Sequence, residues 1–296
     1  MHDAFATLWS QLFQFQGYGE LLGLVRNSII AGAILGITGG LVGVFVMARD
    51  LAFAVHAISE LSFAGAAAGL LLGVGVVEGS LAGSLAAALL IGVLGSRARN
   101  RNSIIAVLMP FGLGLGILCL SLYSGRAANK FGLLTGQIVA VDNPRLTALL
   151  IICAIVVVAL LLVWRPLMFV SIDAQVAEAR GVPAVALSIV FMVLLGMAVA
   201  VSVQIVGSLL VLSVLVTPAA AALRISASPV LVPLLSCAFA VVSMVGGIML
   251  ALGGAIPISP FVTTLSFLIY VACRVIGGVR DRRLPRTPRF ATEGAS

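Results

Sequence analysis

Long apolar stretches separated by short polar segments follow one another along the chain from residue 28 to residue 278. A bilayer core about 30 Å thick is crossed by a helix of roughly 20 apolar residues, and each stretch has about this length. Because lipid leaves no solvent to satisfy backbone polar groups, such stretches predict helices. The predicted spans are residues 28–47, 51–73, 79–95, 103–123, 145–164, 184–203, 205–223, 229–252 and 258–278.

The stretch 184–223 leaves the number of spans at eight or nine. Near its centre only Ser202, Gln204 and Ser208 interrupt it, and it could hold a re-entrant element instead of two full spans. We therefore predict an all-α fold, a polytopic transmembrane helical bundle. One transmembrane domain covers residues 24–279, an interfacial segment precedes it at 1–23, and a basic mobile tail follows at 280–296.

Composition excludes a soluble fold. Of the 296 residues 61% are hydrophobic and 9% charged, whereas a soluble domain has about 45–50% apolar and about 25% charged residues. The four cysteines lie within apolar runs and form no C-x-x-C motif, so neither a zinc knuckle nor a disulfide framework is predicted. The net charge of +7 does not indicate nucleic-acid binding, because the basic residues fall at helix ends and in one tail.

Basic residues predict the orientation, since they mark cytoplasmic loops. If the chain has nine spans, its N-terminus external and its C-terminus cytoplasmic, then twelve basic residues lie on the cytoplasmic side and four on the outside. The four outside residues are Arg26, Arg126, Lys130 and Arg145.

Two ionisable residues, His56 and Glu60, lie deep within a predicted span. Their spacing of four places the imidazole and the carboxylate on one helix face, a turn apart. Ionisable groups in lipid are costly and commonly mark an ion pathway. Nitrogen and oxygen ligands together suit Zn²⁺, Mn²⁺ or Fe²⁺, so we predict a transient metal site. The alternative is a structural pair in which the two groups neutralise each other.

The cytoplasmic loop 171–183 predicts a short surface helix. Asp173 stands near its start, a helix-compatible stretch follows, and Gly181 and Pro183 end it. Such a helix is suited to contact a cytoplasmic partner, although an ordinary loop helix has the same pattern. No phosphate-binding G-x-x-x-x-G-K-[ST] motif is present, so we expect ATP hydrolysis, if it is used, to occur in a separate chain.

Three segments resemble the permease subunits of ABC importers for zinc, manganese and iron. Residues 43–65, GVFVMARDLAFAVHAISELSFAG, are similar to the family's first turn and second span. Residues 205–225 resemble a later span, with its ending at Thr217, Pro218, Ala219 and Ala220. The loop at 171–182 is similar to the family's coupling helix, with Asp173, Ala177 and Gly181 at matching places.

The resemblance implies a type II-like importer permease in the cytoplasmic membrane that is a homodimer and not itself an enzyme. It implies two ATPase subunits that bind ATP, an extracytoplasmic metal-binding protein, and no permanently bound cofactor. The transported ion is expected to be zinc first, manganese second and iron third. Asp173, Ala177 and Gly181 are expected to couple the permease to the ATPase.

The sequence departs from the family pattern at the metal site. The family has an acidic residue followed four positions later by histidine, and this chain has His56 and Glu60 in the reverse order. Two other functions stay open. One is an ATP-independent secondary transporter or channel that uses His56 and Glu60 as a proton or ion relay. The other is a membrane scaffold without transport activity.

Overall fold

The computed structural model describes residues 25–94, 98–125, 132–133, 141–252 and 258–283. These residues form α-helices and one 3₁₀ turn, joined by short connections. The helices are α1 Arg26–Ala48, α2 Ala52–Leu72, α3 Val76–Leu94, α4 Ala98–Leu122, α5 Asn143–Leu162, α6 Trp164–Ile172, α7 Ala174–Ala179, α8 Ala184–Val206, α9 Val211–Leu215, α10 Thr217–Ile225, α11 Leu231–Ala251 and α12 Ile258–Arg283.

The described residues contain nine helical segments that are long and apolar enough to cross a membrane. Their bounds lie within a few residues of the nine predicted spans, so the predicted all-α transmembrane bundle is confirmed. The interfacial segment predicted at 1–23 lies outside the described residues.

The helices α1 and α2 form the centre of the bundle. In each of these helices 67% of the apolar 18-residue segment is buried, whereas 22% of the corresponding segment is buried in α5 and in α12. Glycines bring α1 against α11: a Cβ atom on Gly40 would lie 2.6 Å from Cys237 Cα, and one on Gly36 would lie 2.8 Å from the Val241 nitrogen. Such close contact of helix backbones replaces the hydrophobic driving force that lipid does not supply.

The long apolar stretch from residue 184 forms two spans, the second of which is irregular at its start. The helix α8 ends at Val206, and Gly207 has φ 88°, a conformation that disfavours residues with a Cβ atom. A 3₁₀ turn at Ser208–Leu210 follows, and then α9 and α10. Contacts of Gly196 with Ser84 and of Gly43 with Ala219 show that α8 and the α9–α10 segment run in opposite directions, so the chain crosses the bundle twice and reverses at Gly207.

Two boundaries differ from those predicted. The helix α6 extends into the segment expected to begin the cytoplasmic loop, so only α7 and its flanks form that loop. The basic tail expected to be mobile from residue 280 begins as helix, because α12 continues to Arg283. Residues 284–296 lie outside the described residues.

Candidate functional site

The central helix α2 carries both predicted metal ligands. Glu60 lies two residues before the middle of this helix and is 3% exposed, whereas His56, one turn earlier, is 27% exposed. The imidazole Nε2 and the carboxylate Oε1 are 3.9 Å apart. This distance is too long for a hydrogen bond, so the two side chains are neighbours that leave room between their polar atoms.

Both side chains contain a buried atom without a partner. Glu60 Oε2 and His56 Nδ1 make no hydrogen bond. A buried polar atom without a hydrogen bond costs about 1–3 kcal/mol, and more when the group is charged. A pair that served only to stabilise the bundle would be expected to satisfy these atoms, so the geometry favours a site that a ligand completes.

Neighbouring helices approach the site closely. A Cβ atom on Gly112 of α4 would lie 3.0 Å from the carbonyl carbon of Glu60, so glycine at this position lets α4 pack directly on the α2 backbone. Ser59 lies between the two ligands in sequence, and its hydroxyl is 2.8 Å from the carbonyl oxygen of His56. The ligands are therefore held by a rigid, buried backbone.

The chemistry of the pair fits a first-row divalent ion. Imidazole suits zinc and iron, and carboxylate suits manganese. Across the described residues, no group of three or more histidine, cysteine, aspartate and glutamate side chains could hold a metal ion. The pair therefore offers two such ligands, fewer than the four that a closed structural zinc site uses. A transported ion needs this incomplete, weaker coordination in order to leave.

The predicted loop helix is present as α7. The Asp173 carboxylate caps it by accepting hydrogen bonds from the backbone nitrogens of Gln175 and Val176, each at 3.0 Å. Gly181, with φ 81°, follows the end of α7. These two residues therefore define the start and the end of the exposed loop helix.

Ala177 lies differently from its neighbours in α7. It is fully buried and packs with Val170 and Ala184, so its side chain faces the bundle and not the solvent. The exposed apolar side chains are those of Ile172 and Val176, 78% and 46% exposed. Sequence analysis missed them, although exposed apolar side chains in a polar loop are a recognisable sign of a docking surface.

An aromatic cluster of Phe45, Trp164 and Phe191 connects this loop region to α1. The ring centroids of Phe45 and Trp164 are 4.6 Å apart, and those of Phe45 and Phe191 are 5.8 Å apart. The Arg49 guanidinium lies 5.6 Å from the centre of the Phe191 ring and donates a hydrogen bond to the Ser188 hydroxyl. The helices α1, α6 and α8 thus form one packed unit at this end of the bundle.

Comparison with known families gives a match over most of the chain. The model of the ABC 3 transport family matches residues 22–276. The chain belongs to the ABC 3 transport family. Its membership agrees with the resemblance that residues 43–65, 171–182 and 205–225 carry.

Curated relatives of this family member include two bacterial proteins. The manganese transport system membrane protein MntC of Halalkalibacterium halodurans is 28% identical over 225 residues, which are 76% of this chain and 77% of MntC. The manganese import system permease protein ScaB of Streptococcus pneumoniae is 31% identical over 205 residues, 67% of this chain and 70% of ScaB. The family member described here is thus similar to transport permeases along most of its length.

A solved structure has the same fold as this ABC 3 family member. It is PsaBC from Streptococcus pneumoniae in complex with Fab, with a TM-score of 0.78 and 24% sequence identity. The match covers 86% of this chain and 94% of the PsaBC chain. The multi-pass membrane fold of the family is therefore confirmed for this chain.

The unpartnered atoms at the site predict how removal of the buried carboxylate affects stability. Glu60→Gln keeps the side-chain shape and removes the charge of a carboxylate that has an oxygen without a hydrogen-bond partner. We therefore expect an unchanged or higher midpoint of thermal unfolding in detergent without metal. Glu78→Gln, at an exposed carboxylate in the first turn of α3, is the control. If Glu60 and His56 instead form a structural pair, Glu60→Gln will lower the unfolding free energy by about 3–5 kcal/mol.

Proposed function

We propose that this chain is the permease subunit of an ABC importer that moves a divalent transition metal ion across the cytoplasmic membrane. The half-buried imidazole and the buried carboxylate on α2, each with an unpartnered buried atom, are the observation that carries the proposal. Family membership supports a role in ABC transport. Since the chain has no phosphate-binding loop, the proposal assigns ATP hydrolysis to a separate ATPase subunit.

Manganese is the first candidate for the transported ion. MntC and ScaB are named for manganese, and this supports manganese above zinc, which was the first expectation from the sequence. Zinc is the second candidate, because imidazole suits it well, and iron is the third. The exchanged order of His56 and Glu60 keeps both ligand types, so it does not favour one of these ions by itself.

The proposed transporter is an assembly. Two copies of this chain form the membrane part, two ATPase subunits dock on its cytoplasmic loops, and an extracytoplasmic binding protein delivers the ion. The excess of basic residues on one side supports an external N-terminus and a cytoplasmic C-terminus. His56 and Glu60 hold the ion transiently while the assembly opens alternately to the two sides.

Uptake by proteoliposomes that contain this chain, its ATPase and its binding protein tests the proposal. We expect ATP-dependent uptake of Mn²⁺ when Mn²⁺, Zn²⁺ and Fe²⁺ are supplied separately. Glu60→Ala and His56→Ala should each reduce uptake at least about tenfold, since each removes a ligand. Glu78→Ala, which removes an exposed carboxylate from α3, should leave uptake unchanged.

Three results would contradict the proposal in different ways. Equal flux with and without ATP would indicate the secondary transporter. Absence of uptake for all three metals in the wild-type assembly would exclude metal import. Unimpaired uptake by both alanine variants would remove His56 and Glu60 from the ion pathway.

The loop around α7 is the proposed docking surface for the ATPase. Ile172 and Val176 expose apolar side chains there, and Asp173 fixes the helix start. Because Ala177 is buried against Val170 and Ala184, its proposed part in coupling is to transmit movement of α7 into the bundle. The aromatic cluster extends this contact from α6 to α1, the helix that precedes the metal ligands.

A double variant tests the docking surface. Ile172→Ala with Val176→Ala should weaken binding of the ATPase about tenfold, since buried apolar contacts in an interface centre contribute on the order of 1–2 kcal/mol. Leu162→Ala, which shortens a 79% exposed leucine at the end of α5, is the matched control. The ATPase dissociation constant is the measurement, and equal constants for the double variant and the control would exclude this surface.

A further inference from the structure

The interruption of the apolar stretch at Gly207 lies within the bundle. The last hydrogen bond of α8 joins the Gly207 nitrogen to the Val203 oxygen at 2.9 Å, and the chain then turns into the 3₁₀ segment at Ser208. Irregular backbone inside a membrane protein is tolerated where it is buried in protein or lines a cavity.

One hydroxyl joins this interruption to the metal ligands. Ser59 Oγ is 2.8 Å from the carbonyl oxygen of His56 and 3.3 Å from the carbonyl oxygen of Ser208. Ser59 also directly precedes Glu60 in α2. The turn that begins at Ser208 therefore packs on the segment of α2 that carries both ligands, although 149 residues separate Ser59 from Ser208.

The Ser208 hydroxyl is buried and makes no hydrogen bond in this position. The residue is 1% exposed, and its Oγ has no hydrogen-bond partner, as is true of Glu60 Oε2 and His56 Nδ1. Some buried serines have partners, since Ser62 bonds to Ser80 and Ser236 donates to the carbonyl oxygen of Gly40. Ser28 and Ser243 have none, but Ser208 in addition lies on the turn that contacts α2 through Ser59. This buried hydroxyl belongs to the turn whose backbone contacts α2 at Ser59, between the two ligands, and an ion held there would supply the partner that the hydroxyl lacks.

A second polar group lies on the approach to the interruption. Gln204, one turn before Ser208, has a buried Nε2 atom without a partner. Gln204 lines a cavity with Leu70 and Val76, and Leu70 lies about 15 Å along α2 from Glu60. The Gln204 amide therefore belongs to this cavity and is separate from the carboxylate.

We propose that Ser208 Oγ is a third ligand of the transported ion and contributes to its selection. This inference rests on the proposed function and adds to it an uncharged oxygen ligand from a different helix. A hydroxyl is a hard, weak ligand, which favours Mn²⁺ over softer ions and permits release. Because α2 and the α8–α9 interruption each supply a part, relative movement of the two elements would assemble or open the site.

Replacement of the hydroxyl by a thiol gives a direct test. Ser208→Cys nearly preserves the volume, and a thiolate prefers Cd²⁺ and Zn²⁺ to Mn²⁺. In ATP-driven Mn²⁺ uptake by the proteoliposome assembly, we expect Ser208→Cys to lower the Cd²⁺ concentration for half-inhibition about tenfold. Ser208→Ala should raise the KM for Mn²⁺ by a similar factor, because it removes a ligand and leaves the pair on α2 intact.

Matched controls come from another buried serine. Ser243 in α11 is 2% exposed and its Oγ also lacks a partner. Ser243→Cys and Ser243→Ala therefore cause the same chemical change in a different part of the bundle and should leave both the Cd²⁺ sensitivity and the KM at wild-type values. A purely structural role of Ser208 would change the amount of folded transporter but neither of these two quantities.

The outcomes separate this inference from the proposed function. If wild-type uptake depends on ATP and on Glu60 but the Ser208 variants match the Ser243 variants in KM and Cd²⁺ sensitivity, the Ser208 ligand is excluded and metal import stands. If the wild-type assembly takes up no divalent metal, both are excluded. A Cd²⁺ shift confined to Ser208→Cys would establish the third ligand.

Discussion

The cost of placing a half-buried imidazole and a buried carboxylate on the membrane-spanning helix α2 constrains the rest of this bundle. Lipid cannot satisfy these groups, so protein must surround them, and α2 is accordingly among the most buried helices. Gly112 brings α4 onto the Glu60 backbone, and the turn at Ser208 packs on Ser59. Yet Glu60 Oε2 and His56 Nδ1 remain unpartnered. The surrounding helices thus exclude lipid from the pair and leave coordinating capacity that an ion can use.

Two regions of the bundle meet at α1. Its close contact with α11 at Gly36 and Gly40 fixes it in the membrane, and the aromatic cluster ties its far end to α6 and α8. The short turn after Arg49 then leads directly into α2 and its ligands. Movement of α7, which packs through Ala177 on the residues flanking it, therefore has a continuous protein route toward the site. The permease function we propose requires such a route between the ATPase and the ion.

Sequence patterns predicted the parts of this fold that depend on local order. Span bounds follow from the length of apolar stretches, and His56 and Glu60 share a face because they are one turn apart. Patterns could not give the inward face of each helix, since lipid-facing and buried positions are equally apolar. The burial of Ala177, which the resemblance assigns to coupling with the ATPase, was therefore not visible in the sequence. The contact between Ser59 and Ser208 depends on tertiary packing, so Ser202, Gln204 and Ser208 indicated only an interruption of the apolar stretch.

Pulsed electron paramagnetic resonance of Mn²⁺ bound to the purified chain tests the central claim most directly. The chain contains two histidines, His2 and His56, so an imidazole ligand has two possible sources. We predict a ¹⁴N modulation from a directly bound imidazole in the wild-type protein. It should persist in His2→Ala and disappear in His56→Ala. Bound Mn²⁺ whose ¹⁴N signal is absent, or is unchanged in His56→Ala, would contradict a metal site on α2.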